Sequence, residues 1–312
     1  MADKMATRDA YGKALVKLGE TDQNLVVLDA DLSKSTKTNG FAKAYPERFV
    51  NVGIAEQNMA CVAAGLATIG KTVFFSSFAM FAAGRAFEQI RNSIAYPKLP
   101  VTIAATHAGI TVGEDGATHQ ALEDISIMRT IPGMTVVVPA DGVETEQAVY
   151  ALAAYDGPAY LRLGRLAVET VLPADYQFTL GKGVVLRDGK DVVIFACGLM
   201  VQESLQAAKL LAEEDIQAAV VNIHTIKPID RALVAKMAKQ CGAVVTAEEH
   251  NVIGGLGSAV AEVLAEECPT PMVRVGVQDS FGESGKPAEL LAKYHLTAAD
   301  IAAQAKAVLA KK

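Results

Sequence analysis

Asn51-Val52-Gly53-Ile54-Ala55-Glu56-Gln57-Asn58-Met59-Ala60-Cys61-Val62-Ala63-Ala64-Gly65-Leu66-Ala67 sets a single carboxylate at the head of an otherwise small and apolar segment. From Glu56 onward, helical spacing offers Ala, Cys, Val, Gly and Leu on nearly every face, which predicts a helix buried all round. A charge at its start is costly unless it is paired. The helix N-terminus favours the anion, whereas desolvation favours the neutral acid. Packing alone therefore does not account for Glu56, and conflicts of this kind concentrate at functional sites.

Outward from this helix, short β-rich runs alternate with helical ones. Strands are predicted at 24–28, 48–52, 71–75, 101–105, 135–138 and 159–163, with helices at 9–19, 79–93 and 142–155 among the segments between them. Such alternation predicts an α/β fold, a doubly wound and largely parallel sheet with helices on both faces. Ligands of such sheets sit beyond the carboxyl ends of the strands. Around Asp175-Tyr176-Gln177-Phe178-Thr179-Leu180-Gly181 the periodicity lapses, and a second series follows, with strands at 191–196, 218–222, 243–247 and 272–275. The division is a first domain over 1–175, a linker and first strand region over 176–190, and a smaller doubly wound α/β domain over 191–312. Gly254-Gly255-Leu256-Gly257-Ser258-Ala259 is similar to part of a dinucleotide fingerprint, yet no complete GxGxxG follows a strand directly, and the segment reads as a tight turn into a helix.

The chain has 312 residues, enough for roughly two domains of ~100–200 residues each. Although 51% of the residues are hydrophobic, no uninterrupted apolar run approaches the ~18 residues of a membrane span. Met1-Ala2-Asp3-Lys4-Met5-Ala6-Thr7-Arg8 lacks the apolar core of a secretory signal, so a cytoplasmic protein with no membrane partner is expected. A net charge of −6 without a basic tract argues against nucleic acid. Cys61, Cys197, Cys241 and Cys268 are scattered with no CxxC pair; they read as reduced, mostly core thiols rather than as a zinc site or a disulfide framework.

Two further segments concentrate candidate chemistry. Phe75, Phe78 and Phe81 recur every three residues, a spacing that suits either a core stripe or one wall of a pocket that stacks a flat ring. Thr106-His107-Ala108-Gly109-Ile110-Thr111-Val112-Gly113-Glu114-Asp115-Gly116-Ala117-Thr118-His119-Gln120 follows a strand and packs two His, two acids and three Gly into one loop. Polar groups so concentrated beyond a strand end point to a site. His107 and His119 lack compact metal-ligand spacing, and no metal ligands are assigned on this chain.

Taken in order, Ala30-Asp31-Leu32, Gly53-Ile54-Ala55-Glu56-Gln57, Phe78-Ala79-Met80-Phe81-Ala82-Ala83-Gly84, Thr106-His107, Gly113-Glu114-Asp115-Gly116-Ala117-Thr118-His119-Gln120 and Pro139-Ala140-Asp141-Gly142-Val143-Glu144-Thr145 resemble the carboxy-terminal two-thirds of a transketolase. The resemblance covers almost the entire chain and implies a pyrimidine-binding domain followed by the family's carboxy-terminal domain. It implies thiamine diphosphate as cofactor, with Glu56 matching the glutamate that hydrogen-bonds N1′ of the aminopyrimidine. Proton sharing there promotes the imino tautomer, whose nitrogen can remove the thiazolium C2 proton. Phe75, Phe78 and Phe81 match the aromatic wall around the pyrimidine, Phe81 standing where the family often has Tyr, and Asp31 matches an acid close to the cofactor. His107, Asp115 and His119 match residues that contact sugar hydroxyls and assist proton transfer, while Arg8, Ser35 and Arg162 match residues that hold the substrate phosphate.

The family's Gly-Asp-Gly segment with its downstream Asn, which binds Mg²⁺ and the diphosphate, has no counterpart here; Gly113-Glu114-Asp115-Gly116 is not that motif. The resemblance thus implies a split enzyme, with an amino-terminal transketolase subunit carrying the Mg²⁺ and diphosphate site. This chain would pair with itself as a dimer within a heterotetramer, acting on sugar phosphates and transferring a two-carbon ketol unit. A 1-deoxyxylulose-5-phosphate synthase-like subunit shares the Ala-Glu-Gln motif, but the Gly-Glu-Asp-Gly loop and the Pro-Ala-Asp-Gly-Val-Glu-Thr segment favour transketolase. Retention of Glu56, the three Phe and both His argues against a regulatory subunit that merely keeps the fold.

Overall fold

The computed structural model describes residues 4–312; Met1-Ala2-Asp3, part of the stretch read for a signal core, lie outside the described residues. Seven strands form the larger sheet in the spatial order Thr225–Lys227, Thr135–Val137, Ala159–Arg162, Val101–Thr106, Thr72–Phe78, Leu25–Asp29 and Phe49–Asn51. All neighbours run parallel except Thr225–Lys227, which is antiparallel to Thr135–Val137. The run Leu25-Val26-Val27-Leu28-Asp29 is buried at every position, as a central parallel strand covered on both faces must be. The two-residue period of a strand sends Val27, Phe74, Ala104 and Leu161 to a core beneath Tyr11, Leu15 and Val149. It sends Leu28, Phe75, Ile103 and Tyr160 to a second core against Met59, Ala63 and Ile90. The smaller sheet has the order Met272–Val277, Val244–Asn251, Val192–Ala196, Ala218–Asn222 and Val184–Arg187, with only the last strand antiparallel to its neighbour.

Two features of the helices depart from the sequence reading. The Glu56–Thr68 helix is not buried all round: Met59, Ala60, Ala63, Ala64 and Ala67 face the core, but Gln57, Asn58, Cys61, Gly65 and Thr68 are exposed. Small side chains raise the mean hydropathy without declaring a face, so the exposed stripe is hidden in the sequence. The helix expected over 79–93 is present but wound wider, with π-helical segments Met80–Arg85 and Ile90–Ala95 on either side of the α-turn Phe87–Gln89. Cys197, Cys241 and Cys268 are buried free thiols, and Cys61 is exposed.

Pro139 to Thr145 joins the domains. Asp141 caps the Gly142–Ala153 helix through Glu144 N–H (2.9 Å) and also accepts from the N–H groups of Val171 (2.8 Å) and Leu172 (2.9 Å), just before the linker. Glu144, fully buried, accepts from Ala140 N–H (2.7 Å), Asn222 Nδ2 (2.9 and 3.0 Å) and Tyr176 O–H (3.2 Å). Burial pushes its carboxyl up to about 7 in spite of these donors. The Gly254–Ala259 segment is a turn into the Leu256–Glu267 helix, whose first N–H groups, from Leu256 (2.7 Å) and Gly257 (2.8 Å), donate to the buried Glu248 carboxylate. The chain's own acid thus occupies the position where a dinucleotide phosphate would sit.

At the end of the Ala159–Arg162 strand, Arg162 holds Asp124 by Nε to Oδ2 (2.8 Å) and Nη2 to Oδ1 (3.1 Å), both residues being buried. Nη2 also donates to the carbonyls of Ala121 (3.2 Å) and Glu249 (3.0 Å), the latter in the second domain. Burial opposes ionisation of Asp124, but the adjoining guanidinium holds its carboxyl below the usual range. Removing one member leaves an uncompensated buried charge. Arg162→Met should therefore cost about 3–5 kcal/mol, read as a lower urea midpoint at pH 7; a cost under about 1 kcal/mol would contradict this role.

Candidate active site

The site lies beyond the carboxyl ends of the larger sheet's central strands, where chain reversals in a doubly wound sheet leave a crevice. The Thr72–Phe78 strand delivers Phe78 at its end, and the wide turn Met80–Arg85 follows at once. Insertions of this kind re-aim side chains and recur at functional sites. Here Arg85 Nη1 donates to Glu56 Oε2 (2.8 Å) while its guanidinium lies 4.5 Å from the Phe81 ring centroid. Glu56, only 1% exposed, also accepts from Ser77 Oγ (3.3 Å). The buried acid is thereby paired without leaving the head of its helix.

Phe78 and Phe81 stack at 6.0 Å between centroids. His107 stacks on Phe78 at 3.8 Å, and His119 meets the Phe81 ring edge-on at 5.4 Å and Phe78 at 6.2 Å. Phe75 is not part of this wall. It belongs to the strand, where alternation turns it to the face opposite Phe78, and it is wholly buried in the core. The three-residue spacing spans a strand end and a helix start, so helical periodicity does not apply across it.

His107 closes the strand Val101–Thr106 with φ 57°, a left-handed conformation that turns its ring back over Phe78. Arg8 Nη1 lies 2.8 Å from His107 Nε2 and donates to the Ser35 carbonyl at 3.1 Å. A guanidinium is only a donor, so Nε2 accepts and the ring proton sits on Nδ1, donating to Thr106 Oγ1 at 2.9 Å. Burial, reinforced by the positive charges of Arg8 and Arg165, lowers the imidazole pKa to about 3. The neutral ring is the one poised for chemistry. Glu56, Arg85, Phe81, Phe78, the two histidines and Arg8 therefore form one unbroken series of contacts.

Of the remaining sequence candidates, Ser35 is brought to Arg8 through its carbonyl. Asp115 is exposed at the end of the Ile110–Asp115 turn of the same loop as the histidines. Asp31, exposed and left-handed at φ 63°, meets Asn51, whose Oδ1 accepts its N–H at 3.1 Å. Arg162 does not face the site, because Asp124 and two carbonyls take up its Nε and Nη2 donors in the interior. Arg165, three residues on and past the strand end, does. It donates to the Val112 carbonyl and to Glu114 (3.2 Å), and with Arg8 and Lys37 it makes a positive corner beside His107. The sequence reading missed both Arg165 and Arg85. The strand boundary is the signal for Arg165: the last residue of a central strand points into protein, and the first cation beyond it can reach a ligand.

The family model "Transketolase, pyrimidine binding domain" matches residues 3–170, and "Transketolase, C-terminal domain" matches residues 181–301. A transketolase C-terminal section of Methanocaldococcus jannaschii is 53% identical over 298 residues, covering 95% of this chain and 93% of that protein. The 6-deoxy-6-sulfo-D-fructose transketolase subunit SqwH of Clostridium sp. is 46% identical, covering 98% of this chain and 95% of that one. A solved structure described as a split gene transketolase, inactive beta4 tetramer, superposes with a TM-score of 0.92 at 59% identity over 98% of this chain and 99% of its own. Human transketolase is 38% identical across all of this chain, which spans 50% of that protein rather than the two-thirds its motifs suggested. The chain belongs to the transketolase family, of which it carries the pyrimidine-binding and C-terminal domains.

Proposed function

We propose that this chain is the C-terminal subunit of a split, thiamine diphosphate-dependent transketolase, completed by an amino-terminal subunit that supplies the diphosphate and Mg²⁺ site. One observation carries the reading: the aromatic wall of Phe78 and Phe81 runs from a buried carboxylate at Glu56 to neutral His107 and the positive corner of Arg8 and Arg165. These residues fit one half of the cofactor. A flat ring face beside a buried acid suits an aminopyrimidine. The split and inactive relative, and the relative that is itself a C-terminal section, support a two-chain enzyme.

When bound, thiamine diphosphate supplies a carbon nucleophile that accepts and releases the two-carbon unit. Glu56 would hold the proton at N1′ of the bound aminopyrimidine, with the half-exposed Arg85 as its ion-pair partner. Phe78 and Phe81 would cover the face of that ring and exclude water from it. The Nε2 lone pair of His107, released when Arg8 turns to a substrate phosphate, accepts the proton of a sugar hydroxyl as the ketose C2–C3 bond breaks and returns it when the acceptor aldehyde is captured. Arg8 and Arg165 suit a phosphate because planar guanidinium donors address two oxygens at once.

Mixed with its amino-terminal partner, thiamine diphosphate, Mg²⁺, xylulose 5-phosphate and ribose 5-phosphate, the chain should yield sedoheptulose 7-phosphate and glyceraldehyde 3-phosphate. A correctly assembled complex that instead releases carbon dioxide from pyruvate would defeat the assignment.

Glu56→Gln should lower kcat by on the order of 10² or more with assembly unchanged by light scattering; turnover near that of the parent would remove Glu56 from its role.

The depressed His107 pKa also makes a prediction. In the unfolded chain the ring titrates near its ordinary value, so the stability due to the neutral buried ring is full above that pH and is lost as pH falls toward about 3. Carbon-13 NMR of the His107 ring should show no titration between roughly pH 5 and pH 8, the window around an ordinary histidine. Arg8→Met, which removes one repelling charge, should move its pKa upward. A wild-type midpoint at the ordinary histidine value would refute the assignment.

A further inference from the structure

The loop that holds His107 and His119 is tied to its own domain at Ala108 and Val112 and is also set against the second one. Its backbone visits positive φ at Gly109 (87°) and Gly116 (76°). At both positions a side chain would collide with the second domain: a Cβ on Gly109 would meet the Glu249 carboxylate, and one on Gly116 would meet Ser284 Oγ. Glu249, 6% exposed, accepts the Thr111 N–H at 2.6 Å across the domain boundary. Gln120 ties the other end. Its Nε2, buried with the side chain, donates to the carbonyls of Ile110 (3.0 Å) and Gly113 (3.4 Å) within the loop and of Glu283 (2.9 Å) in the second domain. Asn251 N–H donates to the Leu122 carbonyl at 2.8 Å just beyond.

The geometry points to Glu249 and Gln120 as positioning residues: the C-terminal domain is a mould against which the sugar-contacting loop sets, and its contribution to the reaction is the orientation of His107, Asp115 and His119. This rests on the function proposed above. A side chain held within a fraction of an ångström of its productive geometry needs a rigid support. The Ile110–Asp115 turn is interrupted by the non-helical Gly113, and its ties within its own domain are those of Gln120 to Ile110 and Gly113 and of Arg165 to Val112. The second domain adds an external support, Glu249 accepting the Thr111 N–H and the Glu283 carbonyl accepting from Gln120, so that Glu249 acts through the loop.

The test compares Glu249→Ala with Glu249→Gln in the full chain, first by hydrogen exchange over 107–120 and then in the reconstituted enzyme. Glu249→Ala should speed exchange at Thr111 at least about tenfold and raise KM for the sugar phosphate several-fold, with the dissociation constant of thiamine diphosphate unchanged. Glu249→Gln keeps an oxygen for the Thr111 N–H and should return exchange to within about twofold of the parent and restore KM with it. Should Glu249→Ala fail to fold, Gln120→Met carries the same expectations for exchange and KM. Unaltered exchange at Thr111 in Glu249→Ala, or Glu249→Gln behaving no better than Glu249→Ala, would overturn the inference. Absence of transfer in the unmutated complex would remove the functional reading alone, since exchange still decides whether the mould exists.

Discussion

A carboxylate withdrawn from water must find donors, and the solution at Glu56 organises everything around it. Ser77 and Arg85 donate to it, Arg85 from the end of the π-turn that follows Phe78. The same guanidinium then lies over Phe81, so the ion pair and the aromatic wall are fixed by one side chain. Phe78 touches both Phe81 and His107, so one series of contacts runs from the paired acid to the imidazole at the far end.

The opposite end obeys the reverse logic. Positive charge gathers at Arg8, Lys37 and Arg165 with one imidazole in its midst, and burial together with that charge keeps the ring neutral. Asp9 and Glu114 answer Lys37 and Arg165 in part, leaving Arg8 turned to the imidazole and the Ser35 carbonyl.

The sequence revealed the layering of the fold because parallel strands buried on both faces read as unbroken apolar runs, as at Leu25–Asp29, and because helical periods lie between them. Glu56, His107 and His119 were legible because polar groups stood where burial or a strand end made them conspicuous. What stayed hidden depended on where elements stop. Phe75 falls in with Phe78 and Phe81 only if a period of three is run through a strand end, and Arg162 enters through the family resemblance although it is the strand's last residue and Arg165 the first cation beyond it. The exposed face of the Glu56–Thr68 helix was hidden by composition: Cys61 and Gly65 lie on it, yet are as small as the buried alanines. Contacts between distant segments, such as Glu249 with Thr111, left no local trace at all.

The strand Thr225–Lys227 lies in the second half of the chain but completes the first half's sheet. Dissection at the linker would strip that border and bare the backbone donors and acceptors of Thr135–Val137, a template for unwanted self-association. The two halves are thus interleaved rather than strung in tandem, and recombination between relatives would have to exchange them together.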